Sequence, residues 1–141
     1  MLIKVNIRSE AHSTISDEEF VNVLRRSSLA ERRPVDDPKC IRAMLEHKNL
    51  LCTAWDVSTL IGVARSVTDF EYGCYLSDLA VDKKYHRKGI GRELIRLTQS
   101  QLGSKANLIL IAAPKAEKFC PRVGFEHHKS AWIIPAKKSL K

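Results

Sequence analysis

The chain has 141 residues, 44% of them hydrophobic and 28% charged, and a formal net charge of +8 at pH 7. This length predicts one compact domain over residues 1–141, and the hydrophobic content excludes an intrinsically disordered chain. No apolar run approaches the roughly 20 residues that cross a bilayer, so we expect no membrane association and a cytoplasmic protein. The positive charge favours anionic partners, which could be nucleic acids or small phosphates.

The chain as far as residue 81 predicts one strand, two helices and three further strands. Residues 2–8 alternate apolar and polar side chains, as a half-buried strand does. Ser16 followed by Glu19 is a capping box that predicts a helix start, and Asp37 before Pro38 predicts a second one. Strand-like runs follow at 50–55, 60–67 and 74–81.

Beyond residue 81 the pattern predicts a crossover and a group of short elements. Gly89 and Gly91 lead into a helical pattern that closes at Gly103, and an apolar run at 108–112 predicts a strand buried on both faces. The remaining predictions are a short helix at 114–120, stopped near Pro121, and strands at 125–128 and 131–134. This order predicts a mixed α/β sheet with one strand–helix–strand crossover over 74–112.

The segment between the strand at 74–81 and the next helix predicts an anion site. A helix start presents free backbone N–H groups and the positive end of the helix dipole, and Gly89 and Gly91 let a phosphate approach closely. Basic side chains surround this start: Lys83, Lys84, Arg87, Lys88 and Arg92. The P-loop motif is absent, and Leu94 replaces the third glycine of a dinucleotide fingerprint. Taken alone, the two glycines are also compatible with a tight turn.

Two spaced motifs extend this pattern. The first is Leu79-Ala-Val81 followed by His86-Arg-Lys-Gly89-Ile-Gly91, and the second is Phe119-Cys-Pro-Arg-Val-Gly124-Phe125. Together they resemble the signature of the GNAT superfamily of N-acetyltransferases. His86 stands where the family usually has glutamine or arginine, and Cys120 where many relatives carry a tyrosine thought to protonate the departing thiolate of CoA. The resemblance implies a central, mostly antiparallel sheet with one β-α-β crossover and flanking helices.

The resemblance also implies that acetyl-CoA is the cosubstrate and lies between the strands at 74–81 and 108–112. The loop amides would hold its pyrophosphate, and the backbone of the first strand its pantetheine arm. The implied cofactor-binding residues are Leu79, Ala80, Val81, His86, Arg87, Lys88, Gly89, Ile90, Gly91 and Arg92. The N–H of Leu79 would donate to the oxyanion while a primary amine attacks directly in a ternary complex.

The group that deprotonates the amine is left open. Tyr75 occupies the position at which some protein-modifying relatives carry a glutamate, so that base is missing. Asp78 is the nearest carboxylate, and we consider it as a base or an amine-binding group. The alternative is that Asp78 only bonds to a neighbouring loop. Glu71 is a poorer candidate, and a chain of water molecules would also serve.

Cys120 has three interpretations. It is a thiol general acid, a nucleophile that carries the acyl group, or an inert small residue at a position no longer used. The second requires activation by His127 or His128, of which strand alternation would direct only one toward the site.

Other classes of function compete with an acetyltransferase. A sensor that binds acetyl-CoA without catalysis is the main alternative, with Cys120 marking lost activity. A nucleic-acid-binding protein is disfavoured because no helix-turn-helix or zinc-finger spacing is visible. The four cysteines form no Cys-x-x-Cys pair, so we expect no metal site. Within the acetyltransferase interpretation we expect a small-molecule or peptide amine as the acceptor, and a homodimer is compatible with the sequence.

Overall fold

The computed structural model describes residues 7–141, which contain a five-stranded sheet with helices on both faces. The strands are β1 Ile7–Ala11, β2 Leu50–Asp56, β3 Thr59–Thr68, β4 Gly73–Val81 and β5 Asn107–Ile109. They lie side by side in chain order; the first three pairs are antiparallel, and β4 and β5 are parallel. The predicted mixed α/β fold, mostly antiparallel with one crossover, is confirmed. The strand predicted at 2–8 lies largely outside the described residues.

The helices are α1 Asp17–Arg26, α2 Pro38–Glu46, α3 Ile90–Ser100 and α4 Phe119–Arg122. The backbone N–H of Glu19 donates to Ser16 Oγ at 3.0 Å while the Glu19 carboxylate accepts from the Ser16 N–H, which confirms the predicted capping box. At the start of α2, the Asp37 carboxylate accepts from the Cys40 N–H at 3.1 Å and Pro38 holds the first helical position. Both helix starts therefore follow from local sequence.

The core has one apolar layer on each face of the sheet. Helices α1 and α2 cover one face, where Phe20, Leu24 and Ile41 pack with residues of β2 and β3. Helix α3 covers the other face, where Leu94 packs with Ile61 and with other buried residues of β2 and β3. Strands β2 and β3 are consequently buried on both sides, as their nearly continuous apolar sequence requires.

The C-terminal part differs from the prediction. Strand β5 covers three residues, Asn107–Ile109, instead of the predicted 108–112. The prediction that it is buried on both faces is also wrong, since Ile109 is exposed at the edge of the sheet. Pro121 does not stop a helix at 114–120, because it lies in the first turn of α4, where no backbone N–H needs an acceptor. The strands predicted at 125–128 and 131–134 are wrong, since both stretches have irregular structure.

Strand β4 continues well beyond its pairing with β5. The register joins Gly73–Tyr75 to Asn107–Ile109 and goes no further. On the other side of β4 the pairing with β3 shifts between Arg65 and Ser66, which leaves Ser77 as the extra residue of a bulge. The last residues of β4 therefore have one side without a strand partner in the described part of the chain.

Candidate active site

A cleft of about 1210 Å³ opens beside this unpaired end of β4. Leu79 and Val81 line it from the sheet, and the loop after β4 and the start of α3 line it from one wall. The chain from Ala113 to Val123 and the segment between α1 and α2 contribute the remaining residues. Clefts that place a few polar groups among apolar side chains are the usual form of a cofactor site.

The first turn of α3 is uncapped and faces the cleft. Gly89 is its N-cap residue, with φ of +77°, and no side chain within residues 7–141 caps the helix. The first intrahelical bond runs from the Glu93 N–H to the Gly89 carbonyl at 3.0 Å, so the N–H groups of Ile90, Gly91 and Arg92 precede it. Unpaired N–H groups and the helix dipole together favour an anion at this end.

Three side-chain contacts fix the loop that leads to this helix. Asp82 is buried, and it accepts from Arg26 Nη1 of α1 at 2.9 Å. The Tyr85 hydroxyl donates to the Asp56 carboxylate, and this hydrogen bond raises the pKa of Tyr85 above its usual value. His86 Nε2 lies 2.8 Å from the carbonyl oxygen of Val81. The loop is therefore shaped before any ligand binds, which lowers the entropy cost of binding.

Most of the residues that the sequence assigned to the cofactor line the cleft together: Leu79, Val81, His86, Arg87, Gly89, Ile90, Gly91 and Arg92. Two of the assigned residues do not. The side chain of Ala80 is buried against α1 and α2, and Lys88 Nζ lies 6.0 Å above the ring centroid of Tyr85.

The charge in the cleft is mainly positive on both walls. Lys83, Arg87 and Arg92 stand on the side of α3, and Lys115 and Arg122 stand opposite. The acidic Glu31 also lines the cleft and pairs with Lys115 at 3.6 Å, where both side chains are exposed. A positive cleft concentrates anionic ligands. The sequence did not indicate the basic residues of the second wall, because their proximity depends on the return of the chain after β5.

Asp78 lies in β4 beside the cleft but is fully buried. One of its carboxylate oxygens accepts from Arg33 Nε and the other from Arg65 Nε. The same guanidiniums bond to Ser77 at the bulge: Arg33 Nη2 to its carbonyl at 2.8 Å, and Arg65 Nη2 to its hydroxyl at 2.9 Å. This cluster was missed from the sequence, although a buried Arg65 in an otherwise apolar strand required a carboxylate partner.

A sequence model of the acetyltransferase (GNAT) domain matches residues 12–133. The chain belongs to the GNAT acetyltransferase family. The resemblance carried by the two motifs is thus confirmed, and the match includes both. No curated protein sequence matches the chain.

Solved structures show the same GNAT fold. A probable acetyltransferase from meticillin-resistant Staphylococcus aureus is 18% identical, with a TM-score of 0.71 over 93% of this chain and 100% of that one. An aminoglycoside acetyltransferase from an uncultured soil sample, in complex with sisomicin, is 19% identical, with a TM-score of 0.66 over 96% and 97%. An aminoglycoside N-acetyltransferase in complex with CoA is 15% identical, with a TM-score of 0.67 over 97% and 100%.

Cys120 departs from the family pattern, and it is half-buried. Burial raises the pKa of its thiol, so it is protonated at neutral pH. Its neighbours Phe119 and Arg122 line the cleft, but Cys120 itself does not. Within the described residues no hydrogen bond joins it to His127 or His128.

Two kinds of feature are absent from the described residues. No group of three or more histidine, cysteine or acidic side chains among residues 7–141 is placed to hold a metal ion. No helix in that same range is long and apolar enough to cross a membrane.

Proposed function

We propose that the protein is an acetyl-CoA-dependent N-acetyltransferase that acts on a primary amine by direct attack in a ternary complex. The observation that carries the proposal is the uncapped start of α3, which opens into a basic cleft beside the unpaired end of β4. One wall supplies N–H donors for a pyrophosphate, and the strand supplies unpaired backbone groups for an amide-containing arm. Both needs of a CoA thioester are met in one cleft.

Acetyl-CoA acts here as a cosubstrate, and no metal takes part. Its pyrophosphate binds the amides of residues 87–92, with Arg87 and Arg92 adding charge, and its pantetheine arm follows β4. The backbone N–H of Leu79 then donates to the oxygen of the tetrahedral intermediate. A preorganised donor of this kind stabilises such an intermediate by roughly 3–4 kcal/mol. Proximity of the bound amine and thioester supplies further rate.

Asp78 has a positioning role in this proposal. A general base needs an oxygen free to accept the proton, and both oxygens of Asp78 already accept from arginines. The carboxylate instead holds Arg33 and Arg65 on Ser77, and so fixes the bulge next to Leu79. A water chain receives the proton of the amine, whose pKa is about 10.4 for a lysine-like group.

Cys120 is inert in this proposal, the third of its interpretations. Burial raises the pKa of the Cys120 thiol and so disfavours the nucleophile, which must be a thiolate. A thiol that acts as a general acid has to reach the leaving sulphur. Because the residue lies beside the cleft and does not line it, the thiolate of CoA takes its proton from solvent or leaves as an anion.

Small-molecule amines are the first acceptors to test. Two of the structural neighbours are aminoglycoside acetyltransferases, and one of them is in complex with sisomicin. The four free cysteines suit a reducing compartment, which supports a cytoplasmic location.

The proposal is tested by following release of free CoA from acetyl-CoA in the presence of a panel of amines, with mass spectrometry of the products. We expect CoA release that depends on an amine and yields its N-acetyl form. Arg87→Glu should raise the KM for acetyl-CoA, whereas Lys84→Glu, in the same loop but away from the cleft, should not. Saturable binding of acetyl-CoA without turnover of any amine would favour the sensor instead. Absence of binding would refute both functions.

A further inference from the structure

The active-site cleft holds one acidic side chain among many basic ones. Among residues 7–141, Glu31 is the only carboxylate that lines the cleft. The basic side chains that line it are Arg32, Lys83, Arg87, Arg92, Lys115 and Arg122. These positive charges suit the phosphates of acetyl-CoA, but they repel the protonated amine that the proposed function needs as its second substrate. Glu31 is thus the one negatively charged lining group that attracts a cationic acceptor.

The segment that carries Glu31 is anchored to the end of β4 where the thioester is placed. Glu31 belongs to the 3₁₀ turn Leu29–Arg32, and Arg33 follows directly. Arg33 Nη2 donates to the carbonyl oxygen of Ser77 at 2.8 Å. Two residues of chain span at most about 7 Å, so this anchor keeps Glu31 near the last residues of β4. Leu79, the proposed oxyanion donor, is one of them and lines the same cleft.

The present partner of Glu31 is a cation that can be exchanged. The Glu31 carboxylate and Lys115 Nζ are 3.6 Å apart, and the two side chains are 67% and 71% exposed. Within residues 7–141 neither side chain forms another ion pair. An ion pair with this exposure contributes little to stability, so the fold does not depend on it. Lys115 therefore occupies the carboxylate in the way that a cationic substrate would.

We propose that Glu31 binds a positively charged group of the acceptor in place of Lys115. The inference rests on the proposed function and names its substrate class, a small molecule with at least two amino groups. The attacking nitrogen must be neutral, whereas a carboxylate stabilises the protonated form of an amine that it contacts. Glu31 consequently holds a second, non-reacting ammonium group while the other amino group attacks the thioester.

Calorimetric titration of the CoA-saturated protein with 1,4-diaminobutane and with pentylamine tests this proposal. The two molecules have the same number of non-hydrogen atoms, but only the first carries a second ammonium group. We expect the diamine to bind about tenfold more tightly, the effect of one charge-assisted contact. Glu31→Gln should abolish this preference without raising the Kd for CoA. Glu117→Gln, which changes an exposed acid that does not line the cleft, should retain it.

Lys115→Gln distinguishes acceptor binding from a structural role of the ion pair. This variant breaks the same ion pair as Glu31→Gln, but it leaves the carboxylate free. We therefore expect Lys115→Gln to bind the diamine more tightly than the wild type does, and Glu31→Gln to bind it more weakly. If the pair only held the shape of the cleft, the two variants would weaken binding alike, and that result would overturn the proposal.

Equal affinity of the wild type for the two amines would also overturn it, and so would a preference that survives in the folded Glu31→Gln variant. The outcome for acetyl transfer is separate. Tighter binding of the diamine without release of CoA from acetyl-CoA would support the role of Glu31 and refute the proposed function. Acetylation of both amines with equal kcat/KM and equal affinity would support the proposed function and refute the role of Glu31.

Discussion

Phe119 packs against the position where a side chain on Gly91 would begin. An ideal Cβ built on Gly91 would lie 3.2 Å from Phe119 Cζ, closer than such contacts normally are. Gly89 differs, because space is open around it but its φ of +77° disfavours other residues. Gly91 therefore allows the two motifs to pack closely, whereas Gly89 allows the backbone conformation at the start of the helix.

Gly91→Ala should lower the free energy of unfolding, because the added methyl group would lie too close to the Phe119 ring. Phe119→Leu should relieve this steric conflict. Residues in contact usually show an interaction energy of at least about 0.5 kcal/mol in a double-mutant cycle. Denaturant unfolding of the two single variants and the double variant measures it. Additive effects would show that the ring does not limit the residue at 91.

Gly89→Ala provides the contrast to that cycle. Forcing a residue with a Cβ into the left-handed region costs about 1–2 kcal/mol, and this cost does not involve the phenyl ring. We expect Gly89→Ala to lower the free energy of unfolding by that amount, with no recovery when Phe119→Leu is added. Recovery by the second change would assign Gly89 to packing instead.

Arg26→Met should weaken both the fold and the cofactor site. The change leaves the buried Asp82 without its cation, and an unsatisfied buried partner costs about 1–3 kcal/mol. Because Asp82 begins the loop that leads to Gly89, the Kd for acetyl-CoA should rise too. Arg25→Met is the matched control: Arg25 pairs with Asp36 at 3.7 Å where both side chains are exposed, and its loss should change stability by less than about 0.5 kcal/mol. Equal effects of the two variants would contradict the role given to Asp82.

Asp78→Asn separates a positioning role from that of a base. The neutral amide leaves two guanidiniums without their carboxylate, so the free energy of unfolding should fall by about 3–5 kcal/mol. Thermal and denaturant unfolding measure this loss. A variant of unchanged stability whose kcat alone collapses, with the acidic limb of the pH profile altered, would restore Asp78 as the base.

The Cys120 thiol should react slowly and at high pH. Since burial raises its pKa, the thiolate fraction at pH 7 is below that of a free cysteine, whose pKa is about 8.5. In a Cys40→Ser background, with Cys52 and Cys74 buried, alkylation by iodoacetamide should reach half its maximal rate above that pH. The fold favours the protonated thiol, so the stability that it contributes is complete below about 8.5 and is lost as the pH rises through the folded pKa.

Cys120→Ala extends this test to catalysis. We expect an unchanged kcat, because the thiol does not line the cleft. A fall in kcat at constant KM would identify Cys120 as the proton donor. In the alkylation experiment on the chain that keeps Cys120, a midpoint near pH 7 would contradict burial as the cause of the low reactivity of this thiol.

The elements predicted correctly are those with local signals. The Ser16 capping box and the Asp37-Pro38 start depend on residues within one helical turn, and the strands between residues 50 and 81 depend on alternating or continuous apolar runs. The apolar run at 108–112 was misjudged because its burial depends on neighbouring strands: Leu108 and Leu110 pack inward, while Ile109 faces outward at an edge. Strand pairing is a non-local property that short apolar stretches near a C-terminus do not reveal.

The site was predictable in part for the same reason. The Gly89 helix start is a contiguous motif, so its position follows from sequence. The Arg33–Asp78–Arg65 cluster joins three distant segments, and no spacing rule connects them. The second basic wall of the cleft likewise depends on how the chain packs after β5.

Calorimetric titration with acetyl-CoA, comparing the wild type with Arg92→Ala and Arg96→Ala, tests the cofactor site most directly. Arg92 lines the cleft, whereas Arg96, one turn further along α3, pairs with Glu93 at 2.6 Å outside it. We expect saturable binding by the wild type and by Arg96→Ala, and a Kd raised about tenfold in Arg92→Ala, the effect of losing about 1.4 kcal/mol from one charge-assisted contact. Absence of binding by the folded wild type, or equal affinity in all three proteins, would contradict the placement of acetyl-CoA at the start of α3.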